Sequence, residues 1–337
     1  MTLLQVEDLH VTYRGGEGDV PAVRGVDLTV AEGEVVGLAG ESGCGKSTLA
    51  STVLRLQPAG ARVTGKVLLD DEDVLTMRWG RLRAVRWAAA SVVFQGALHS
   101  LNPLQRVGDQ IAEPMLLHEP GTTRGTAARR AADLLERVGL PASRVRAYPH
   151  QLSGGQRQRV MIAMALACSP RLVVADEPTT ALDVMVQAQV LDLLTGLVAD
   201  LGLGLLLISH DLSVLGSTCD RVAVMYAGRI VETGPGRDLF TDARHPYAKA
   251  LAAAFPTIGD PGGRLSPAGL PGDPPDPAAL PTGCSFHPRC TVAVAACERR
   301  DPLLRPAGPG RSAACLLVGE DGSPLTGTDG DVPEELR

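Results

Sequence analysis

The chain has 337 residues, of which 45% are apolar and 21% charged, a balance that suits a folded protein of about two domains with an ample core. Its net charge of −6 and its 3% aromatic content argue against a nucleic-acid binder, which needs a basic footprint and, for single strands, aromatic platforms. The start, Met1-Thr2-Leu3-Leu4-Gln5-Val6-Glu7, lacks the basic and apolar regions of a signal peptide. The apolar run from Leu201 to Ile208 contains glycines and is too short to cross a bilayer, so a cytosolic chain is expected.

The first informative element is the run Val35-Val36-Gly37-Leu38-Ala39, which reads as a buried strand. Gly40-Glu41-Ser42-Gly43-Cys44-Gly45-Lys46-Ser47-Thr48 follows, and it fits G-x-x-x-x-G-K-[ST] at every fixed position. A helix from Thr48 to Leu56 then ends before Pro58. A chance glycine-rich turn is the alternative, and the flanking strand and helix disfavour it. The glycines let backbone N–H groups surround a polyphosphate, and the helix aims its positive end at the same anion. Lys46 can reach the β and γ phosphates, and the Ser47 hydroxyl can sit on Mg²⁺. Cys44 occupies a free position, so no role is expected of its thiol.

From about residue 96 to 168 the chain is rich in Ala, Arg and Leu, with breaks expected at Pro103, Pro114, Pro120, Pro141 and Pro149, and reads as a mostly helical insert. Within it lies Gln151-Leu152-Ser153-Gly154-Gly155-Gln156-Arg157, ahead of a helix. Bare N–H groups at Ser153, Gly154 and Gly155 would suit a phosphate, although the same residues also make a plain helix cap. Next, Arg171-Leu172-Val173-Val174-Ala175-Asp176-Glu177-Pro178 is a strand ending in two acids. Asp176 can hold Mg²⁺ through water, and Glu177 can polarise an attacking water as general base. Asp183 caps a helix through Val190, Leu191, Leu194, Leu197, Val198 and Leu201 that Gly202 ends, and Leu205 to Ile208 form the next buried strand. This βαβ unit implies a parallel sheet. Residues 222 to 232 read as a hairpin turning at Ala227-Gly228.

The last quarter changes character. Pro256 to Pro281 is dense in Pro, Gly, Ala and Asp and reads as a linker or wrapping arm. Cys284, Cys290, Cys297 and Cys315 follow with spacing C-x5-C-x6-C-x17-C. In a reducing compartment such a group points to metal rather than disulfides. The spacing is unlike that of zinc ribbons, and four thiolates suit an iron–sulfur cluster. Zinc and unligated cysteines stay open as alternatives, and His287 reads as a turn residue. With few large apolar residues, residues 256–317 need such a staple, and its loss is expected to leave phosphate binding at Lys46 largely intact. The acidic, polar tail from Gly319 reads as disordered.

Taken together, these elements resemble the ATP-binding cassette (ABC) ATPases over residues 3–255. Leu152-Ser153-Gly154-Gly155-Gln156 is similar to the family's signature motif, and the other motifs occur in family order. Tyr13 is placed like the aromatic residue that stacks on adenine. Gln95, after Val92-Val93-Phe94, is placed like the glutamine that senses Mg²⁺ and the attacking water. Ala181-Leu182-Asp183 resembles the D-loop, and His210 resembles the switch histidine at the γ-phosphate. The resemblance implies an α/β fold: a P-loop NTPase core with an antiparallel β subdomain, a helical subdomain and a small irregular cysteine-rich C-terminal extension. It implies domains at 1–255 and 256–317, with residues 318–337 as a tail. It also implies ATP and Mg²⁺ as ligands, with Gly40 to Thr48 and Tyr13 on one nucleotide. Ser153, Gly154, Gly155, Gln156 and Asp183 would complete the site of an opposing subunit in a head-to-tail dimer.

Three segments narrow the resemblance to the oligopeptide/dipeptide importer ATPases: Ser100-Leu101-Asn102-Pro103, His245-Pro246-Tyr247, and Pro281-Thr282-Gly283-Cys284-Ser285-Phe286-His287-Pro288-Arg289-Cys290. One departure is Gly96-Ala97 after Gln95, where relatives often carry an acid and a proline. The branch implies two permease subunits, a second ATPase subunit, an extracytoplasmic binding protein, a 4Fe-4S cluster on the four cysteines, and residence on the cytoplasmic face of the inner membrane. The same branch includes importers of nickel and of oligosaccharides. An exporter ATPase and a soluble ABC ATPase acting on nucleic acid or the ribosome are the competing readings. The single cassette and the absence of sustained heptads count against the soluble one.

Overall fold

The chain begins with two 13-residue strands, β1 (Thr2–Arg14) and β2 (Asp19–Ala31), paired antiparallel. Strand β3 (Val35–Ala39) then leaves for a second sheet. β4 (Arg62–Leu69) pairs with β1, and the short β5 (Glu72–Asp73) pairs with β4, giving a four-stranded sheet ordered β2-β1-β4-β5. The computed structural model describes residues 1–16, 18–94, 100–180, 182–254 and 270–325.

The second sheet has eight strands. Besides β3 it contains β6 (Ala90–Val93), β7 (Leu172–Asp176), β8 (Gly204–Ser209), β9 (Arg221–Tyr226), β10 (Arg229–Pro235), β11 (Arg305–Pro306) and β12 (Ser312–Ala313). Their order is β11-β12-β10-β9-β3-β8-β7-β6. The five strands from β9 to β6 are parallel, and the β9–β10 hairpin and β12 are antiparallel to their neighbours.

Burial on both faces explains the continuous apolar runs of the parallel strands. Val35, Val173, Ala175, Leu205 and Leu207 face one core, which the helical region covers. Their alternates Val36, Leu38, Val174, Leu206 and Ile208 face the other, against the β1–β2–β4 sheet and the helix Lys46–Val53. The period of two places successive residues on opposite faces. Helix Val184–Leu201 is capped by Asp183, whose carboxylate accepts the Val186 N–H at 3.0 Å. Gly202 ends that helix in the left-handed region, at φ 64°. By length and composition this helix could cross a membrane, but its Val190, Leu191, Leu194, Leu197 and Val198 pack into the core beneath the sheet.

The insert is helical as expected, with helices Val107–His118, Arg124–Arg137 and Gly154–Ala165. Pro114, expected as a break, instead lies buried inside the first of these. A proline removes one N–H from the ladder, and here Ile111, Ala112 and Met115 around it are packed in the core, which holds the helix across it. The hairpin at Ala227-Gly228 forms as read, with φ values of 46° and 82° at the turn.

The extension departs from a free-standing appendage. β12 pairs with β10, at Glu232↔Ala313 and Thr233↔Ser312, so it continues the main sheet. Its own apolar groups are small: Ala307, Ala313, Cys315, Leu317 and Val318 in one, and Ala296, Cys297 and Leu316 in another. The described part of the expected disordered tail is ordered instead. Val318 bridges to Pro324, and the Leu325 N–H donates to the Leu317 carbonyl at 2.9 Å, so ordered chain continues to Leu325.

Candidate functional site

The site gathers where strands β3, β7 and β8 end side by side. Ala39 is in register with Ser209, and Asp176 with Ile208, so the residues just beyond these strands meet at one sheet edge. Ligands of open α/β sheets bind at such carboxyl ends.

The phosphate loop links Ala39 to the helix that starts at Lys46. Two of its glycines are required by close approach. A Cβ on Gly40 would lie 2.3 Å from the Met225 carbonyl oxygen, and one on Gly45 would lie 2.2 Å from that of Ala22. Lys46 is buried, and its Nζ donates to the carbonyls of Gly40 at 2.7 Å and Glu41 at 2.9 Å. The lysine thus rests on its own loop, which poises its charge at the loop's centre. Cys44 is buried, and burial pushes its thiol up, so it stays uncharged. The Tyr13 hydroxyl meets Thr48 Oγ1 at 3.3 Å, which sets the half-buried ring beside the loop's helix.

Asp176 is buried at the tip of β7. Burial pushes its carboxyl above the usual range, the Ser47 hydroxyl opposes this by hydrogen bonding, Glu177 adds to it and Lys46 counters it. The buried Oδ1 of Asp176 has no hydrogen-bond partner. An orphaned carboxylate oxygen beside a serine hydroxyl is a donor set that fits Mg²⁺, which takes oxygen ligands and neutralises phosphate charge when bound.

Glu177 takes the left-handed backbone conformation, at φ 46°. Its Oε2 accepts the Thr180 hydroxyl at 2.9 Å, and its Oε1 lies 3.5 Å from Nδ1 of His210. Glu177 and His210, far apart in sequence, therefore face one another at the mouth of the loop.

Ser153 and Gln156 close a reciprocal cap. Ser153 Oγ accepts the Gln156 N–H at 3.3 Å, and Gln156 Oε1 accepts the Ser153 N–H at 3.1 Å. Gly155 is packed so closely that a Cβ would lie 2.5 Å from Val186 Cγ1, and a Cβ on Gly154 would lie 3.4 Å from Leu182. Among the described residues these hydrogen bonds stay within the cap and do not run to the chain's own phosphate loop. Asp183 likewise uses its carboxylate as a helix cap. Gln95 and Ala181 lie outside the described residues.

Cys284, Cys290, Cys297 and Cys315 all line one cavity, beside His245 and Phe286. Burial pushes Cys284 up to about 11 and Cys315 up to about 12. The expected metal centre is not seen as such: among the described residues, no three His, Cys, Asp or Glu side chains are gathered to hold a metal ion.

Sequence reasoning missed a set of long-range contacts to the loop. Glu41 accepts both arms of the Arg289 guanidinium, at 2.7 and 3.0 Å, and its N–H donates to Tyr247 Oη at 2.9 Å. Tyr226, Tyr247 and Phe286 pack together there in tilted and edge-to-face contacts, with ring centres 4.6 to 5.4 Å apart. The only local signal was the placement of Tyr247 and Arg289 in two motifs of the extension.

Comparison with known proteins agrees with this geometry. The family model described as ABC transporter matches residues 23–180, and that described as oligopeptide/dipeptide transporter, C-terminal region, matches residues 231–297. The oligopeptide transport ATP-binding protein OppD of Salmonella typhimurium is 42% identical over 321 residues, covering 95% of each chain. The protein of the same name from Mycobacterium tuberculosis is 45% identical over 317 residues, covering 93% of this chain and 52% of that one. Among solved structures, a dimeric ATP-binding cassette in a post-hydrolysis state bound to ADP and Pi is 29% identical, with a TM-score of 0.63, covering 70% of this chain and 99% of that one. On these grounds the chain belongs to the ATP-binding subunits of ABC transporters, in the oligopeptide/dipeptide branch.

Proposed function

We propose that the chain is the ATP-hydrolysing subunit that powers peptide import through an ABC transporter of the inner membrane. The observation that carries this reading is the meeting of Lys46, Asp176, Glu177 and His210 at one sheet edge, with the Asp176 Oδ1 left unpaired. Lys46 leaves the Gly40 and Glu41 carbonyls to take the β and γ phosphates, and Tyr13 stacks on the adenine. Ser47, and Asp176 through water, would hold Mg²⁺, with Gln95 as a further ligand, and the ion would neutralise phosphate charge. Glu177 takes a proton from the attacking water, and His210 orients it and contacts the γ-phosphate.

Two such subunits pack head to tail in this reading, so Ser153, Gly154, Gly155 and Gln156 of one chain serve the nucleotide of the other. Asp183 holds that segment in place through its helix cap. Two permease subunits dock on the helical insert, and an extracytoplasmic binding protein delivers substrate to them. We take residues 1–255 as the ATPase domain and assign the chain from 256 to at least Leu325 to the extension.

In this reading the four cysteines, which line one cavity, hold a 4Fe-4S cluster, since four thiolates are the donor set such a cluster takes. Its contribution is to hold a segment whose own apolar groups are small.

The test is reconstitution of the chain with its cognate permeases and binding protein in liposomes. Peptide-stimulated ATP hydrolysis with peptide uptake is expected. Stimulation by nickel or an oligosaccharide, with none by peptides, would remove the substrate assignment and leave the ATPase.

A further inference from the structure

Glu41, at the second position of the phosphate loop, is tied by three separate parts of the chain. Its N–H donates to Tyr247 Oη at 2.9 Å, its carboxylate takes the Arg289 fork at 2.7 and 3.0 Å, and its carbonyl accepts Lys46 Nζ at 2.9 Å. The grip is largely dry, since the Arg289 side chain is 6% exposed and that of Glu41 21%. Arg289 is in turn fixed from behind. Its Nε donates to the Pro271 carbonyl at 2.8 Å, and its guanidinium lies 5.9 Å from the centre of the Tyr226 ring. The proline-rich arm runs over the same spot, where Pro274, Pro275, Pro277 and Leu280 enclose a cavity of about 150 Å³ against Glu41 and Ser42.

A carboxylate beside a polyphosphate site repels the ligand unless a cation cancels it. A buried, bidentate arginine does this and also fixes the carboxylate's position. Because the Glu41 carbonyl also carries Lys46, a shift of Glu41 moves the resting place of the phosphate-binding lysine. Arg289 immediately precedes Cys290, and Phe286 of the same segment packs on Tyr226 and Tyr247, at 5.2 and 5.4 Å.

We propose that Arg289 is a positioning residue of the phosphate loop, which neutralises and places Glu41 and so makes nucleotide affinity depend on how the cysteine-bearing extension is seated. This rests on the loop being the nucleotide site. It replaces the expectation that the extension and ATP binding are independent.

The test is MgATP titration by calorimetry on the purified full chain. Arg289→Ala weakens binding roughly tenfold or more, because a part-buried carboxylate is left unpaired beside the phosphates. Arg289→Lys keeps the charge without the fork and is weakened by less. Glu41→Gln in the Arg289→Ala background restores affinity toward wild type, an outcome that a merely structural role for Arg289 does not produce. If Arg289→Ala fails to fold, Arg289→Lys carries the test, with weaker binding at unchanged melting temperature as the expected result. Wild-type affinity in the single variants, or a double variant weaker than Arg289→Ala, overturns the proposal. Lys46→Ala is the control. Should it keep its affinity, the loop assignment itself fails, whatever Arg289 does.

Discussion

His210 Nδ1 stands 3.5 Å from Glu177 Oε1, although 33 positions separate the two residues in the chain. The pairing arises because β7 and β8 are adjacent parallel strands, so each residue just past its strand meets the other. In the proposed reading this pairing sets His210 to act on the same water and phosphate as Glu177. His210→Ala is expected to lower ATP turnover roughly 10²-fold or more while MgATP binding stays within a few-fold of wild type. Turnover measured beside calorimetric affinity checks this, and equal losses in both would assign His210 to ground-state binding.

Ser153→Arg places a bulky cation at the start of the helix Gly154–Ala165, where Gly155 is already pressed against Val186. The expected outcome is loss of dimer-dependent hydrolysis, with MgATP binding to the isolated chain nearly unchanged. A large loss of binding in the monomer would contradict the assignment of this segment to the opposing subunit's nucleotide.

His245 gives the extension a pH dependence. Its ring is fully buried, and burial pushes its pKa from 6.5 down to about 4. The neutral form is also demanded locally, since Nδ1 accepts the Tyr247 N–H at 3.0 Å. The unfolded chain takes up a proton below about 6.5, while the folded ring resists until about 4. Stability from this group is therefore fully present above pH 6.5 and is lost as pH falls through that window, by up to about 1.4 kcal/mol per unit. The protection factors for hydrogen exchange in residues 284–317, corrected for the intrinsic rate at each pH, should fall from pH 7 to pH 5. The fall should shrink in His245→Gln.

Cys284, Cys290, Cys297 and Cys315 give a prediction read without activity. Protein purified without oxygen should be brown, with an absorption shoulder near ~400 nm and about four irons per chain. Serine at any one of these positions should open the extension to proteases. Through Arg289 it should also weaken MgATP binding. Stoichiometric zinc without iron would replace the cluster by a single-ion site, and metal-free protein with intact protease resistance would leave the cysteines as plain core residues.

Much of the candidate site's geometry was legible because its parts are local. The phosphate loop, the acids at the end of β7 and the caps at Ser153 and Asp183 each depend on neighbours within a few residues, and their spacing records that geometry. The extension was less legible for a physical reason. β11 and β12 have two residues each, too few to show a period, and the Arg289–Glu41 pair spans 248 positions. Likewise, nothing beside Glu232 signals that it is fully buried, with its carboxylate taking the N–H groups of Arg244 and His245 and the Arg311 guanidinium. Such pairs exist only once the sheet has brought the segments together. Pro114 shows the converse, since a local breaker was overruled by the core packed around it.

The central claim is ATP hydrolysis with Glu177 as general base at a site that binds without it. Its most direct test is phosphate release from MgATP by the chain assembled with its permeases, comparing wild type with Glu177→Gln. The account predicts turnover lowered roughly 10²- to 10⁴-fold, with MgATP still bound and the closed, ATP-loaded dimer accumulating. Wild-type turnover in Glu177→Gln would show that another group activates the water and would contradict the account.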